Sequence, residues 1–375
     1  MLFFFENGLW LNLGSYLSLT KMYVKKNFGL KSMIRFSGWH IVWLSVWAVV
    51  VTCFIEYLHH LREHNPNIVD FRVPWLPISV IGTAVAFYVG FKNNSSYDRM
   101  WEARKIWGGI VNSSRMWGSN IKGYVTNHFS ATDLSDTELK GIHKRMIYRH
   151  IGWLYTLRSQ LLIPTQWEHI GQGGRMEKYT KSRMKSYGVG LFADDITEHT
   201  LPQCLPQEEI EKLINAKNTA TQIIDKQSQE LKELRDRDLI DDFRHMELQK
   251  LLNDFYTHQG KCERIKKFPL PRQYGSMSAI FIGIFIFLLP FGMVSEFHTE
   301  QLGGWGAWIS IPFTIIVSWV FLMMELVGDY SENPFEGLGN DIPMLSLCRT
   351  IEIDLKEMLG EELPPAIQPV NDVLM

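Results

Sequence analysis

Two pairs of ionisable side chains stand four residues apart, the spacing that stacks side chains on one helix face: His60 with His64, and Glu325 with Asp329. Two imidazoles so placed can chelate a transition metal. No third ligand is evident beside them, however, and ordinary interfacial histidines, with His59 as a neighbour, give the same pattern. Glu325 and Asp329 either bind a cation or face water, and the solvated reading is the simpler. The chain has no phosphate-binding Gly-x4-Gly-Lys loop, Gly-x-Ser-x-Gly elbow, His-Glu-x-x-His pair or dinucleotide-binding glycine motif, so no enzymatic activity is expected. Cys53, Cys204, Cys262 and Cys348 are scattered with no Cys-x-x-Cys pair, which favours neither a disulfide framework nor a zinc site and fits a reducing, cytosolic setting.

The elements that carry these residues are read from charge. Mean hydropathy is −0.07, and 46% hydrophobic against 21% charged residues over 375 positions resemble a soluble protein. That average conceals two unlike halves. Windows 75–91, 277–294 and 305–324 contain no Asp, Glu, Lys or Arg, and window 41–58 contains only Glu56 near its end. Each is about long enough for a hydrocarbon core of roughly 30 Å, and a charge at a helix centre there costs about 2.5–3.5 kcal/mol. Four membrane-spanning helices are expected. A net charge of −2 gives no reason to expect nucleic acid as a partner.

Lys and Arg in the flanks set the orientation. Lys21, Lys25, Lys26, Lys31 and Arg35 precede the first span, Lys92, Arg99, Arg104, Lys105 and Arg115 follow the second, and Arg264, Lys266, Lys267 and Arg272 precede the third. The connection 295–304 has none, and the one between the first two spans has only Arg62 and Arg72. Both termini and the long central region should therefore be cytoplasmic. The apolar run 2–5 lacks a basic lead and meets Glu6, so it makes a poor signal peptide and is expected to be retained. The expected organisation is a cytoplasmic or interfacial segment 1–38, two spans in 39–91, a helical cytoplasmic domain 92–276, two spans in 277–326 and a cytoplasmic segment 327–375.

Within the central region, Trp101, Ile106, Trp107, Ile110, Val111, Trp117 and Ile121 recur at helical spacing, as do Leu248, Leu251, Leu252 and Phe255. Residues 208–244 read as an exposed helical pair broken near 225–228, residues 171–175 as a glycine loop, and 268–272 as a firm break. Pro290 and Pro312 lie inside spans, where kinking is the simple reading. The second span is rich in small residues (Ser79, Gly82, Thr83, Ala84, Ala86, Gly90) and runs into polar Lys92-Asn-Asn-Ser-Ser-Tyr97 without a break. Close packing around an axis or plain helix–helix packing would both call for this.

The stretch Phe91-Lys-Asn-Asn-Ser-Ser-Tyr-Asp-Arg-Met-Trp101, continued to Arg115, resembles the bestrophin family of ion channels in its bacterial branch. Gly328-Asp-Tyr-Ser-Glu-Asn-Pro-Phe335, Asn340-Asp-Ile-Pro343, Cys348-Arg-Thr-Ile-Glu352 and Glu263-Arg-Ile-Lys-Lys-Phe-Pro-Leu-Pro271 extend the resemblance over most of 20–365. It implies an all-α membrane protein, a homopentameric channel with one axial pore in the bacterial inner membrane, with lipid and permeant ions as its other partners. The second span of each subunit would line a neck, at Leu76, Val80 and Ala84 or at the adjacent stripe Thr83, Phe87 and Phe91. Met246 would form a cytoplasmic constriction. Animal members clasp calcium with a run of acids after the Asn-Pro-Phe block. Here Glu336-Gly-Leu-Gly-Asn-Asp341 offers only two spaced carboxylates where calcium favours several. Calcium is therefore not expected as a resident cofactor, and Glu336, Asn340 and Asp341 are the positions that could hold a cation.

The function expected is passive conduction of small monovalent anions such as chloride, with sodium or potassium as the alternative, since an uncharged neck does not choose. The rival from another class is a non-conducting membrane-anchored sensor or scaffold. A secondary transporter is disfavoured by the absence of an inverted repeat and of a charge at any span centre.

Overall fold

The structure, a computed structural model, describes residues 30–66, 73–129, 134–170, 178, 181, 193–298, 305–338, 340–369 and 374. The N-terminal residues 1–29, Arg72, the loop expected at 171–175 and residues 299–304 lie outside them. The described residues form α-helices and no strand: α1 Leu30–His64, α2 Trp75–Tyr124, α3 Asp136–Leu162, α4 Ala193–Cys204, α5 Gln207–Ile214, α6 Thr219–Asp236, α7 Asp242–Lys267, α8 Arg272–Phe297, α9 Gly306–Asp329 and α10 Met344–Leu359. Four of them, α1, α2, α8 and α9, are long and apolar enough to cross a membrane, one for each of the four apolar windows.

The chain forms two compact units. One comprises residues 27–102 and 267–334. In it α8 packs on α9, and α1 on both, around Leu44, Ile78, Val85, Val89, Ile282, Phe285 and Leu289. Large apolar side chains such as Val46, Val50, Ile284, Phe287 and Ile316 are nonetheless exposed on its outside. A surface as apolar as the core behind it is what lipid, and not water, tolerates. Gly82 lies against Phe285, where a Cβ would meet the ring at 2.6 Å, so the second span needs glycine there for close packing. Pro290 and Pro312 both sit inside helices that continue past them.

The other unit, built on 103–266 and 335–375, is an ordinary helical core. In it α3 is central, packed against α4, α6 and α10. The start of α3 is fixed by a capping box: the Ser135 side chain accepts the Glu138 N–H while the Glu138 carboxylate accepts the Ser135 N–H. Fully buried Trp107, Trp117, Trp153 and Phe255 fill its middle. Past α10, Glu361 is held by Tyr148 and Lys144 and Ile367 packs on the core, so the Pro364-Pro365 tail is a strap on its own unit.

The break expected near 225–228 is not there. Helix α6 is unbroken through it, and the interruptions fall at 215–218, where Asn218 caps α6 by accepting the Thr221 N–H, and at 237–241, where Asp238 takes a φ of 55°. Nor is the region merely a solvated face, since Ile223, Gln227, Glu230, Leu231 and Leu234 are buried. The expected break at 268–272 does separate α7 from α8.

Buried His150 stacks on Trp153, with Nε2 2.9 Å from the Ser114 hydroxyl, and burial pushes its pKa down to about 3 from 6.5. Below pH 6.5 the unfolded chain gains a proton that the folded one refuses, so stability is lost as pH falls toward that lower value. At pH 5 this amounts to about 2 kcal/mol. The unfolding temperature of purified protein should drop between pH 7 and pH 5, and His150→Gln should flatten that slope; an unchanged slope would contradict the assignment.

Candidate functional site

Helix α2 is continuous for 50 residues, about 75 Å at 1.5 Å per residue. One face of it is left bare. Leu76, Val80, Thr83, Ala84, Phe87 and Phe91 are all exposed, Leu76 and Phe91 by 72% and 71%. The two neck stripes expected from sequence thus share a single face. Spacings of three and four carry it onward through Gly90, Asn94, Asp98, Trp101, Lys105, Gly108, Asn112, Arg115, Ser119 and Lys122, every one exposed. The opposite face, Ile78, Gly82, Val85, Val89, Lys92 and Ser96, is buried. Small Ser79, Gly82, Ala86 and Gly90 line an open groove of about 790 Å³ together with Phe285 and Phe321.

Lys92 lies on the buried face at 1% exposure. Its ammonium donates to the Glu325 carboxylate of α9, which also accepts from the Ser278 hydroxyl of α8. The sequence placed Lys92 only among the basic residues after the second span and Glu325 in water; the structure buries both. Each charge is taken up by the other, which is how an ion at the edge of an apolar layer is tolerated. One residue on, the Asn93 amide donates to the Met324 carbonyl at 2.9 Å and lies where a Cβ on Gly328 would have to be. Arg99 is likewise turned inward, donating to the Glu332 carbonyl oxygen at 2.8 Å, while the Glu332 carboxylate accepts from Arg272 at 2.6 Å.

Sequence reasoning missed the node of Lys92, Glu325 and Ser278, although a signal was available. Ser310, Thr314, Ser318, Glu325 and Gly328 fall on one face of the otherwise apolar α9, and all are buried. A polar stripe in a spanning helix points inward, so Glu325 could have been placed with it.

The three candidate cation ligands differ in their surroundings. Asn340 is exposed, whereas Glu336 and Asp341 are buried. The Glu336 carboxylate accepts the His169 backbone N–H at 2.5 Å and the His169 Nδ1–H at 2.9 Å. Asp341 Oδ2 accepts the N–H groups of Gly337 and Leu338 at 2.7 and 2.9 Å. Beside them Lys266 Nζ donates to Glu168 at 2.5 Å. Burial, with the charges of Glu336 and Glu168, raises the Asp341 pKa well above the usual carboxylate value. A calcium ion needs free oxygens and supplies the positive charge itself. Here N–H donors already take oxygens of Glu336 and Asp341, and Lys266 pairs with the neighbouring Glu168, which leaves few free oxygens for calcium. Met246, on α7, is exposed beside Phe243 one turn earlier, which the sequence reading did not single out.

Comparison with known proteins bears on this geometry. The family profile described as "Bacterial/Fungal Bestrophin protein" matches residues 29–357. The "Voltage-dependent anion channel-forming protein YneE" of Escherichia coli K12 is 25% identical over 313 residues, covering 80% of this chain and 86% of that one. Its namesake in Salmonella typhi is 26% identical over 291 residues, covering 77% and 78%. A solved bestrophin homologue from Klebsiella pneumoniae superposes with a TM-score of 0.66 at 20% identity, over 86% of this chain and 99% of the other.

Lys92→Met should strand Glu325, and Glu325→Gln should strand Lys92, each at a cost of about 3–5 kcal/mol. The charge-free double variant should recover most of that loss. Thermal unfolding of the three purified proteins in detergent measures this, and additive losses would show that the two charges do not depend on each other.

Proposed function

This chain belongs to the bacterial and fungal bestrophin family, an integral membrane channel and not an enzyme, and from that premise we propose that it is a passive homopentameric anion channel whose neck is the bare face of α2. The observation that carries the reading is that face itself. From Leu76 to Phe91 it has no charge, the nearest lysine is turned to the back, and small residues beside it suit identical neighbours packed around an axis. The groove lined by small residues gives the next subunit's α2 a place to approach closely.

Five copies turn each exposed residue into a ring. Rings of Leu76, Val80 and Phe87 hold a narrow path whose wetting limits flux. The edges of Phe87 and Phe91 carry the positive part of the aromatic quadrupole and favour an anion over a cation. Beyond the neck the stripe carries one acid, Asp98, against Lys105, Arg115 and Lys122, although Arg115 shares its charge with Asp354 at 2.8 Å. That imbalance draws anions toward the cytoplasmic end. Met246 forms a second ring on the cytoplasmic side, where both termini also lie.

The cation alternative rests on Asp98, exposed on the stripe while Lys92 and Arg99 point inward. Protein reconstituted in liposomes under a KCl gradient should reverse near the chloride equilibrium potential, and reversal near that of potassium would replace the anion reading. Val80→Ala, which widens the neck, should raise flux several-fold without moving the reversal potential. Absence of any leak from both wild type and this variant would leave only an anchor or scaffold.

With Glu336 and Asp341 already satisfied by N–H donors and Lys266 nearby, the channel should open without calcium. Flux measured in chelator and in millimolar calcium should agree; a calcium-dependent rise would overturn this part of the reading.

A further inference from the structure

The outer end of α1 brings together three metal-ligating side chains, His60, Glu63 and His64, whose donor atoms all lie within 4.8 Å of one another. Glu63 is the third ligand that the spacing of the two histidines did not reveal. We propose that this trio is a binding site for a first-row transition-metal dication of the zinc, nickel or copper class.

The protonation of the rings favours it. His64 Nδ1 is 3.0 Å from the His60 carbonyl oxygen. A carbonyl only accepts, so Nδ1 carries the proton and Nε2 is left with its lone pair exposed. That is the arrangement in which a second hydrogen bond fixes the tautomer of a ligating imidazole. The two rings stand 4.7 Å apart, centroid to centroid, at 64°, so they are not locked in a parallel stack. His60 Nδ1 and Glu63 Oε2 are 3.6 Å apart, longer than a hydrogen bond and open to an ion between them.

A tetrahedral ion with bonds of about 2.0–2.1 Å needs ligand atoms about 3.4 Å apart. Side-chain rotation of roughly an ångström closes the difference, which exposed residues can make without moving the helix. Two imidazoles and one carboxylate select zinc, nickel or copper over calcium or magnesium, which prefer oxygen alone. A fourth position is left to water. The trio follows the apolar window 41–58 and so stands clear of the hydrocarbon layer. Behind it His59 approaches Glu63 at 3.9 Å and its ring lies against that of His298, 4.8 Å between centroids at a 56° tilt, while His298 pairs with Glu56 at 3.6 Å, so the helix carrying the ligands is braced against the end of α8.

Full-length protein in detergent, titrated with zinc chloride against a chromophoric zinc indicator at pH 7.5, should take up one ion per chain beyond any background shared by all variants. The His60→Ala/His64→Ala double variant should weaken that uptake at least roughly tenfold, since even outer-shell changes cost 10–100-fold. Glu63→Gln should weaken it less, and His128→Ala, in the other unit, should leave it unchanged. Cobalt substitution gives an independent reading through a visible absorption band that the double variant lacks. No uptake below millimolar zinc, or equal uptake by wild type and the double variant, would overturn the site.

Discussion

A lysine and a glutamate that meet on the buried side of α2 set how that helix can be turned. Lys92 and Glu325 each carry a charge into a poorly solvated place, and neither is tolerated there alone. Their encounter, with Ser278 as a further donor, fixes the rotation of α2 against α8 and α9. Residues well over a quarter turn from Lys92 are then the ones left bare, among them Leu76, Val80, Thr83 and Phe87. The apolar character of the bare face and the polar pair behind it are two results of one orientation. Gly82 against Phe285 and Gly328 against Asn93 hold the same helices at the distance this requires.

Much of this was legible in the sequence. Near-absence of charge over four windows, with Glu56 at the end of one, identified four spans, because the cost of an isolated charge in lipid is large enough to dominate every other preference. The continuity of α2 past residue 91 was also visible, as no glycine–proline break interrupts it. What could not be read was which charges meet. Lys92 and Glu325 are separated by 233 positions, and each alone looks like a solvated residue at the end of a span. The error at 225–228 has the same origin: local polarity suggested a turn, whereas Asn218 and Asp238 were the residues able to stop a helix.

The cluster around Glu336 and Asp341 shows the same limit at a candidate cation site. Two spaced carboxylates suggested too few ligands for calcium. The fuller physical reason comes from remote parts of the chain, with His169 donating to Glu336 and Lys266 standing by as a covalently attached cation beside Glu168. Asp341 instead borrows two N–H groups from its own loop. Such a cluster carries one ammonium of its own, and the remaining repulsion among its carboxylates shows in the raised pKa of Asp341. Order in this part of the unit is then sensitive to protons, which can neutralise Asp341.

The bare face of α2 returns every three and four residues, a period of 3.5, while a straight α-helix repeats every 3.6. Over each seven residues the face therefore slips by about 20° around the helix. Helices that kept this face toward a common axis along all of α2 would have to wind about one another with a left-handed twist. Handedness is thus already written into the spacing of the exposed residues from Leu76 to Lys122, before any second subunit is placed beside the first.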